Sequence, residues 1–452
     1  MASSSEFDPF RRVKAYSGTG TLASHKLSLE CRFEAHQRGD GSIIIDCESD
    51  DVSGSWQSEA QLTGVTTSGQ PLLTHGAHVT NSTMRFGARE GPSTQVRLVA
   101  SQMEIGRSSR CTAFRYGLTN LRKLPSHATR TQPSESGRRR GVRLSLGALE
   151  VTIEYRPDVD SVLKELAATH SVALTAEATV AAPATEAHSV DEAIQRMCHL
   201  LTLGQGSAVA WSYRDSVDEE DAVVATFCGN AITKPYGAAH RLIKDAHIPA
   251  FVQSTYDAWD EAEARWQIRN AILGYTDAKV HVDYLELRGL KMAVVLEHLK
   301  RVYLERTRRE YTIDNESFRE VVPALRTQIM AALKDLFAES SRQELGHTLA
   351  ALIGGLNRTP FREAIRGVAT ELNLPLDNEE LRTLAAIRNR LVHAMQFDDD
   401  IALSMSEQFD FLSDLAGRFI LAALDYRGPY YDWRTRPRPT IAQLERLADP
   451  PS

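Results

Sequence analysis

Near its C-terminus the chain reads Asn378-Glu-Glu-Leu-Arg-Thr-Leu-Ala-Ala-Ile-Arg-Asn-Arg-Leu-Val-His393. Apolar side chains recur in and just after this stretch at helical intervals, at Leu381, Leu384, Val392 and Met395. Asp377 or Asn378 can cap a helix that starts here, and the two glutamates that follow suit the positive end of its dipole. Because Arg388 falls in the gap of the apolar stripe, its guanidinium must be paired, buried at an interface or used in chemistry.

Three polar residues of this helix, Arg388, Asn389 and His393, are candidates for one site. At about 100° per residue, Asn389 and His393 lie about 40° apart around the helix, whereas Arg388 and His393 lie about 140° apart. Two copies of the helix, from two chains, can flank a bound group more easily than one helix can. The sequence therefore predicts a homodimer with this helix at the interface.

The same three residue types suit the cleavage of RNA without a metal ion. Attack of a 2′-hydroxyl on the adjacent phosphorus needs a proton acceptor, a proton donor and stabilisation of charge on the phosphate oxygens. Histidine exchanges protons near neutral pH, so His393 can serve in either direction. Arg388 can bind two phosphate oxygens through its planar fork, and Asn389 can orient His393 or the sugar.

The run Arg388-Asn-x-x-x-His393 resembles the Arg-x(4 to 6)-His signature of the HEPN superfamily of ribonucleases. The loose pattern also occurs at three other places, Arg122/His127, Arg241/His247 and Arg342/His347. Pro125 prevents a regular helix in the first, and apolar Leu242 follows the arginine of the second. Gln343 follows the arginine of the third, which stays open as an alternative, but only Arg388 is followed by the asparagine that the family favours.

A second stretch, Tyr284 to Tyr303, has apolar positions at helical spacing and resembles the long first helix of that superfamily. Together with the N-terminal half, the arrangement is similar to the ApeA-like HEPN proteins of bacterial anti-phage defence. The resemblance implies an endoribonuclease that acts in abortive infection and leaves 2′,3′-cyclic phosphate ends. It also implies that histidines from two protomers share the acid and base roles, and that the N-terminal domain restrains the nuclease until a phage-derived trigger arrives.

Two other interpretations remain open. In a structural one, Arg388 pairs with a buried carboxylate such as Glu297 and His393 occupies a satisfied core position. Glu297 can equally be a buried acid that positions Arg388. In the second, the chain is a non-catalytic RNA- or protein-binding dimer whose β domain binds a ligand.

Composition favours an ordinary globular protein of the cytoplasm. The chain has 452 residues, of which 42% are hydrophobic and 25% charged, which suits two or three domains. Its five cysteines form no Cys-x-x-Cys pair, so neither a zinc site nor a disulfide framework is expected. No leader or membrane span is expected. We expect no cofactor and no metal site, and Asp398-Asp-Asp400 is interpreted as a helix cap.

One segment departs from the net charge of -7: Arg107 to Arg143 contains ten Arg or Lys residues and one acid, Glu135. Such a segment can bind a phosphate backbone, yet Ser126 to Gly141 is rich in Ser, Thr, Pro and Arg, as in a solvated loop. Whether it binds nucleic acid is not decided by the sequence.

The fold class expected is multidomain α+β. Residues 1–157 show short alternating runs typical of an antiparallel β-sandwich or open barrel of roughly eight or more strands. Residues 158–275 look like a mixed α/β connector, with a hairpin at Ser207 to Phe227 whose acidic tip is Asp215 to Asp221. Residues 276–452 predict an all-α bundle similar to HEPN domains, with helices near 283–307, 323–339, 341–353, 359–372, 378–396 and 402–425.

Overall fold

The computed structural model describes residues 12–25, 27–51, 59–87, 91–124, 141–229, 236, 241–279, 283–332, 353, 356–398, 400–434 and 440–444. The chain divides into two compact units. The first comprises Met1–Trp259, Lys279–His281 and Pro429–Tyr431. The second comprises Asp260–Ala278, Val282–Gly428 and Asp432–Ser452. The first unit is rich in strands and the second in helices, so the expected α+β class is confirmed.

Six strands of the first unit form an antiparallel barrel. They are β1 (Arg12–Ala23), β2 (Ser28–Arg38), β3 (Ile43–Ser49), β4 (Glu59–Thr66), β5 (Pro71–Gly87) and β6 (Gly91–Gly106). Their order is β3-β2-β1-β4-β5-β6, and β6 pairs back onto β3, which closes the circuit. Buried apolar side chains from alternate positions of these strands, among them Phe33, Ile45, Leu62 and Leu98, share one core.

Strand β6 also continues the sheet beyond the barrel. Its segment Gln102–Gly106 pairs with β12 (Val223–Gly229), and the order runs on through the remaining strands. These are β11 (Ala210–Val217), β7 (Ala113–Thr119), β10 (Leu174–Ala181), β9 (Leu149–Tyr155) and β8 (Gly141–Leu146), in that spatial order. Helices α1 (Val159–Thr169), α2 (Ala187–Gln205) and α3 (Ile248–Tyr256) belong to the same unit.

Residues 158–275 therefore differ from the separate connector that the sequence predicted. Strands β10, β11 and β12 lie in this stretch and supply backbone partners for strands of residues 1–157. The backbone N–H and C=O groups of a strand inside a sheet must bond to neighbouring strands, which can lie far away in the chain. The local sequence pattern does not show which strand is the neighbour. The compact unit accordingly runs to Trp259 rather than ending near residue 157.

The predicted hairpin is present as β11 and β12, but its acidic tip is shorter than expected. Asp215 lies inside β11 with 4% exposure, and its carboxylate accepts hydrogen bonds from Lys14 at 2.5 Å and from Thr226 at 2.7 Å. The turn itself spans Asp218 to Ala222 and stays exposed. Asp215 is thus a buried ion-pair partner and not part of a solvated tip.

The second unit contains most of the remaining helices. After α4 (Trp259–Trp266), which begins at the boundary, they are α5 (Ile268–Ala278), α6 (Leu285–Thr307), α7 (Asn315–Ala332), α8 (Phe361–Glu371), α9 (Asn378–Ala394) and α10 (Met405–Ala423). The long helix α6 packs against α5, α8, α9 and α10, so it is the central helix of this unit. Two short strands follow, β13 (Pro429–Asp432) and β14 (Thr440–Gln443). None of the described helices is both long enough and apolar enough to cross a membrane.

The helix boundaries differ from the predicted ones mainly where a different residue caps the helix. Helix α7 begins at Asn315 and not near residue 323, because the carboxylate of Asp314 accepts the backbone N–H groups of Glu316 and Ser317. Helix α10 begins at Met405, three residues past the predicted start, because Ser404 and Glu407 form a capping box. The helix predicted near 341–353 lies almost wholly outside the described residues.

Candidate active site

Helix α9, which carries the candidate residues, has a well-defined start. The carboxylate of Asp377 accepts the backbone N–H of Glu380 at 2.7 Å, and Glu380 accepts the N–H of Asp377 at 3.2 Å. This is a complete capping box, so the cap that the sequence offered at Asp377 is confirmed. The helix ends at Ala394, where Met395 adopts a left-handed conformation with φ of 52°.

The buried stripe of α9 differs from the predicted one. The buried residues are Leu381, Leu384, Ile387 and Leu391. Val392 and Met395, which the prediction placed in the stripe, are 38% and 54% exposed, so that part of it is wrong. Spacings of three and four residues allow either set, and packing against α6 selects the one through Ile387. Arg388 therefore lies at the edge of the stripe rather than in a gap within it.

Arg388 is held by two side chains. Its Nε donates to Oε1 of Glu297 at 2.7 Å, and its Nη2 lies 2.6 Å from the same oxygen. Its Nη1 donates to Oδ1 of Asn389 at 2.9 Å. Because a guanidinium has five N–H groups, one on Nη1 and one on Nη2 remain for a ligand. The Arg388 side chain is 19% exposed, so it is fixed in direction and still reachable from solvent.

Two residues that the sequence reasoning missed complete this group. The amine of Lys300 lies 2.5 Å from Oε2 of Glu297, so one carboxylate holds two cations. The ring of Phe361 lies beneath both, with its centroid 5.2 Å from Cζ of Arg388 and 5.6 Å from Nζ of Lys300. An aromatic face attracts cations, which adds to the fixation of both side chains. We call these five residues, Glu297, Lys300, Phe361, Arg388 and Asn389, the Arg388 cluster.

A weak signal for the missed residues was present in the sequence. Lys300 follows Glu297 by three residues on the helix that the sequence predicted, which is a spacing for ion pairs. Phe361 follows Thr359-Pro360, which the sequence suggested as a helix cap and first turn. In the structure Thr359 does not cap α8, because its hydroxyl donates to the carbonyl of Arg309 at 2.5 Å and Pro360 occupies the N-cap position.

His393 lies apart from the Arg388 cluster. Its side chain is exposed and makes no hydrogen bond or ion pair with any residue that the structure describes. The alternative in which both residues have a purely structural role predicted two contacts. Arg388 does pair with Glu297, as that alternative predicted, but His393 occupies no core position. Within one chain no hydrogen bond or ion pair joins Arg388 and His393, whereas Arg388 and Asn389 are hydrogen-bonded.

The other matches to the Arg-x(4 to 6)-His pattern offer no comparable site among the described residues. Arg241 pairs with Asp245 within one turn, and His247 precedes α3 in the first unit. His127 and the whole Arg342/His347 pair lie outside the described residues. Within the described residues there is also no group of three or more His, Cys, Asp or Glu side chains that could hold a metal ion.

The acidic run after α9 has a different role from the predicted cap. The carboxylate of Asp398 accepts the backbone N–H of Asp400 at 3.1 Å, and the backbone of Asp398 exchanges hydrogen bonds with the side chain of Gln408. The run therefore ties the α9–α10 loop to α10, while the N-cap is Ser404. Asp399 lies outside the described residues.

The basic segment 107–143 is described only in part, because residues 125–140, with Arg138-Arg-Arg140, lie outside the described residues. Of the described basic residues, Arg115 pairs with Asp221 and Lys123 pairs with Asp160. Arg122 donates to the hydroxyl of Tyr236 at 2.6 Å. These three cations already have partners within the first unit.

A second charged group lies at the N-terminal end of α9. Glu380 pairs with Arg418 at 3.0 Å and with Arg434 at 3.1 Å, and Arg434 also contacts Asp414 at 3.2 Å and Asp432 at 3.0 Å. The Asp414 side chain is fully buried. Burial raises the pKa of Asp414 to about 7, and the neighbouring carboxylates of Asp432 and Glu380 add to a shift that the two arginines oppose.

No protein-family model, no curated protein and no solved structure matches the chain. The geometry of the Arg388 cluster and the exposure of His393 carry the functional argument.

Proposed function

We propose that the chain is a metal-independent endoribonuclease of HEPN type that acts in the cytoplasm in anti-phage defence. One observation carries this proposal. Arg388 is fixed by Glu297 and Asn389 with two N–H groups to spare, while His393 on the same helix is exposed and has no partner among the described residues. A fixed phosphate-binding fork and an exposed proton carrier suit cleavage of a phosphodiester when a second chain brings them to the same phosphate.

The proposed reaction needs no group beyond these side chains. A histidine accepts the proton of the ribose 2′-hydroxyl as its oxygen attacks the neighbouring phosphorus. The bond from phosphorus to the 5′-oxygen of the next nucleotide then breaks, and a protonated histidine donates its proton to that leaving oxygen. The spare N–H groups of Arg388 bind the non-bridging phosphate oxygens, and the products carry a 2′,3′-cyclic phosphate and a 5′-hydroxyl.

The acid and base of this reaction are His393 of one protomer and its copy in a second protomer. The separation of Arg388 and His393 on one helix supports this arrangement, because a single chain leaves the two groups uncoupled. Val392 and Met395, which flank His393, are 38% and 54% exposed, so they offer apolar surface beside the histidine that a second chain can cover. We propose that a second copy of the chain covers them in a homodimer.

Regulation by the first unit is proposed on the family resemblance. A nuclease that acts on the RNA of its own cell is toxic unless it is restrained. The strand-rich unit is therefore proposed as the sensor of a phage-derived trigger. The rival proposal is a non-catalytic RNA- or protein-binding dimer, which the ion pair of Arg388 with Glu297 suits equally well, because that pair also stabilises the bundle.

The experiment that separates these proposals uses the full-length protein with mixed cellular RNA in EDTA, followed by analysis of the fragment ends. We expect cleavage that resists EDTA and leaves cyclic phosphate ends. We expect His393→Ala to lower the cleavage rate by about 10²- to 10⁴-fold, which is the range for loss of a general acid–base group. Arg388→Lys should also be impaired, because an ammonium cannot replace the planar fork.

Matched controls are available on the same chain. His188 is a histidine with an 89% exposed side chain in the first unit. Arg382 is an exposed arginine on a different face of α9 from Arg388. His188→Ala and Arg382→Ala should cleave like the parent protein. If cleavage persists unchanged in both His393→Ala and Arg388→Ala, the assigned site is wrong. If a correctly folded dimer binds RNA and never cleaves it, the binding-module proposal replaces the nuclease.

A further inference from the structure

A groove of about 610 Å³ lies in the second unit, along one side of α6. One wall is the face of α6 from Val294 to Glu305, and the other is formed by Glu310, Tyr311, Arg358 and Thr359. Two members of the Arg388 cluster, Glu297 and Lys300, also line it. The groove therefore begins at the proposed catalytic group, and its volume is typical of a small-ligand site.

The second wall is held in place by backbone and side-chain hydrogen bonds. Tyr311 and Arg358 form an antiparallel β-bridge, flanked by backbone hydrogen bonds from Thr312 to Asn357 at 2.8 Å and from Thr359 to Glu310 at 3.0 Å. The amide side chain of Asn357, which is buried, bonds both the N–H and the carbonyl of Ile313 at 2.9 Å. In this bridge geometry the side chains of the opposed residues lie close together on one face.

Tyr311 and Arg358 thus present an aromatic ring and a guanidinium side by side. Tyr311 is 40% exposed, so a ligand in the groove can reach its ring from solvent. Arg358 is exposed, and its side chain makes no hydrogen bond or ion pair within the described part of the chain. Such a pair offers the two contacts that single-stranded nucleic acids use most, a stacking surface and a phosphate ligand.

The remaining charges of the groove favour a nucleotide over a simple anion. Arg301 forms an ion pair with Glu305 whose members are 51% and 46% exposed, and its hydrogen bonds to Gln267 and His298 are long, at 3.5 Å. Arg301 can therefore exchange these partners for a phosphate at little cost. Glu305 and Glu310 add negative charge, which disfavours filling the groove with phosphate alone. A nucleotide base, in contrast, has N–H donors that a carboxylate can accept.

We propose that this groove binds one unpaired nucleotide of the RNA substrate next to the scissile bond, with its base stacked on Tyr311 and its phosphate bound by Arg358. This inference rests on the proposed ribonuclease function and assigns a substrate class to it, single-stranded RNA. Double-stranded RNA suits the groove less well, because a paired base must first be unpaired and unstacked, at a free-energy cost, before it can lie on a tyrosine. From the nucleotide bound by Tyr311 and Arg358, the RNA chain then continues past Glu297 and Lys300. Its next phosphate lies near the N–H groups of Arg388 that remain for a ligand.

The test measures binding of a short single-stranded 2′-O-methyl oligoribonucleotide to the full-length protein by fluorescence anisotropy. The methyl group removes the attacking hydroxyl, so binding is observed without cleavage. We expect Tyr311→Ala to weaken binding by about 5- to 100-fold, as loss of one base stack does, and Tyr311→Phe to retain the affinity. We expect Arg358→Ala to weaken binding and to reduce the salt dependence of the affinity by about one ion.

Controls are Tyr284→Ala, at an 85% exposed tyrosine outside the groove, and Arg319→Ala, at an exposed arginine of α7. Both should bind like the parent protein. Unchanged affinity and salt dependence in Tyr311→Ala and Arg358→Ala overturn the groove as a nucleotide site, even if the protein cleaves RNA. Absence of oligonucleotide binding overturns it as well. The ribonuclease proposal fails separately, when the parent protein cleaves no RNA, so the two failures can be distinguished.

Discussion

Glu297 joins α6 to the proposed catalytic helix through a single carboxylate that holds Arg388 on one oxygen and Lys300 on the other. Both the Arg388 and the Glu297 side chains are largely shielded, with 19% and 23% exposure. Removal of Glu297 leaves the shielded charge of Arg388 without a counter-ion, whereas removal of Arg388 leaves Glu297 with Lys300 alone. At the scale of residues, this pair should therefore be coupled in stability as well as in function.

We predict a coupling free energy of about 1–3 kcal/mol for Arg388 and Glu297 in a double-mutant cycle of Arg388→Ala and Glu297→Ala. The measurement is urea unfolding followed by circular dichroism. The ion pair of Arg382 with Glu379 is a matched control, because it lies on the same helix with both side chains more than half exposed. That pair should show only about 0.3–0.5 kcal/mol. Equal values for the two pairs would contradict the assigned shielding.

A second residue-scale prediction concerns Asp414 and pH. Because burial raises the pKa of Asp414 to about 7, the folded protein keeps this proton over a range in which the unfolded chain, with a carboxyl pKa near 3.8, has lost it. The folded state then binds more protons than the unfolded state, so the free energy of unfolding falls as pH rises from about 4 to about 7. The loss from this one group is at most about 4 kcal/mol.

Asp414→Asn should remove this contribution. We expect the variant to lose less stability than the parent protein between pH 4.5 and pH 7.5, measured by urea unfolding at each pH. Asp400→Asn is the control, since the Asp400 side chain is 92% exposed. If the parent protein and Asp414→Asn show parallel pH profiles, Asp414 is ionised in the folded state, through the arginines that contact it.

At the residue scale, the sequence made Arg388 a candidate because a charge in the gap of an apolar stripe stands out, and it offered Glu297 as a partner. Lys300 and Phe361 could not be assigned in the same way. Their role depends on the direction in which α6 and α8 approach α9, and sequence spacing carries no information on that approach. His393 is exposed where a core position was one alternative, because the buried stripe runs through Ile387 and Leu391.

At the scale of elements, the contact between α6 and α9 depends on Gly289. A β-carbon added there would lie 2.6 Å from Cζ of Phe397 and 3.3 Å from Cδ1 of Leu391, both buried. Helix propensity alone favours Ala over Gly by about 1 kcal/mol. We predict the opposite result, that Gly289→Ala lowers the free energy of unfolding by about 1–3 kcal/mol, because overpacking outweighs propensity.

The control for this prediction is Gly204→Ala in α2, where the added β-carbon would meet the ring of Phe251 at 3.4 Å, close to ordinary contact. Its stability should change by less than about 1 kcal/mol. Chemical denaturation of both variants measures the difference. In the cleavage assay Gly289→Ala should also lose activity, because Leu391 lies in the turn between Arg388 and His393. A neutral Gly289→Ala would mean that α6 and α9 can separate freely.

Helices were predictable from the sequence to the extent that their caps were. Asp377 is followed at the right distance by Glu380, and α9 begins where that pattern places it. Thr359-Pro360 offers an equally good pattern, yet the hydroxyl of Thr359 donates to the carbonyl of Arg309, a residue about fifty positions earlier. A side chain that can bond locally or at long range is decided by the tertiary structure, which explains why the cap at α8 was misassigned.

At the scale of the whole molecule, the boundary of the helical unit decides which fragment can fold. The predicted boundary at residue 276 cuts through α5, whose buried residues Ile268, Ile272 and Tyr275 belong to the helix that packs on α6. A fragment that starts there also lacks Trp266, whose ring lies 5.2 Å from Cζ of Arg306. It lacks Arg265 as well, which pairs with Glu371. The compact unit begins at Asp260 instead.

We therefore predict that a fragment from Asp260 to Ser452 unfolds cooperatively in urea, whereas a fragment from Thr276 to Ser452 does not. Circular dichroism of both fragments measures this, together with the fluorescence of Trp266 and Trp433 in the longer one. The longer fragment should fold without any added peptide from the rest of the chain. Equal cooperativity of the two fragments would show that α4 and α5 contribute little to the core.

The division of the chain into a strand-rich and a helix-rich part followed from periodicity, which is a local property. The assignment of residues 158–275 did not follow from periodicity. Strands β11 and β12 pair with strands about a hundred residues earlier in the chain. Long-range pairing of this kind depends on which edges of the sheet remain open, and a single sequence does not display that.

Strand β6 has a consequence for synthesis on the ribosome. Its segment Gln102–Gly106 has β5 on one side as soon as the barrel forms, but the partner on the other side, β12, emerges more than a hundred residues later. At about 5–20 residues per second, the nascent chain displays this open edge for on the order of ten seconds. An unpaired edge is a template for intermolecular pairing. Chains released before Gly229 should aggregate, and the full chain should need a chaperone that shields β6 until translation supplies its neighbour.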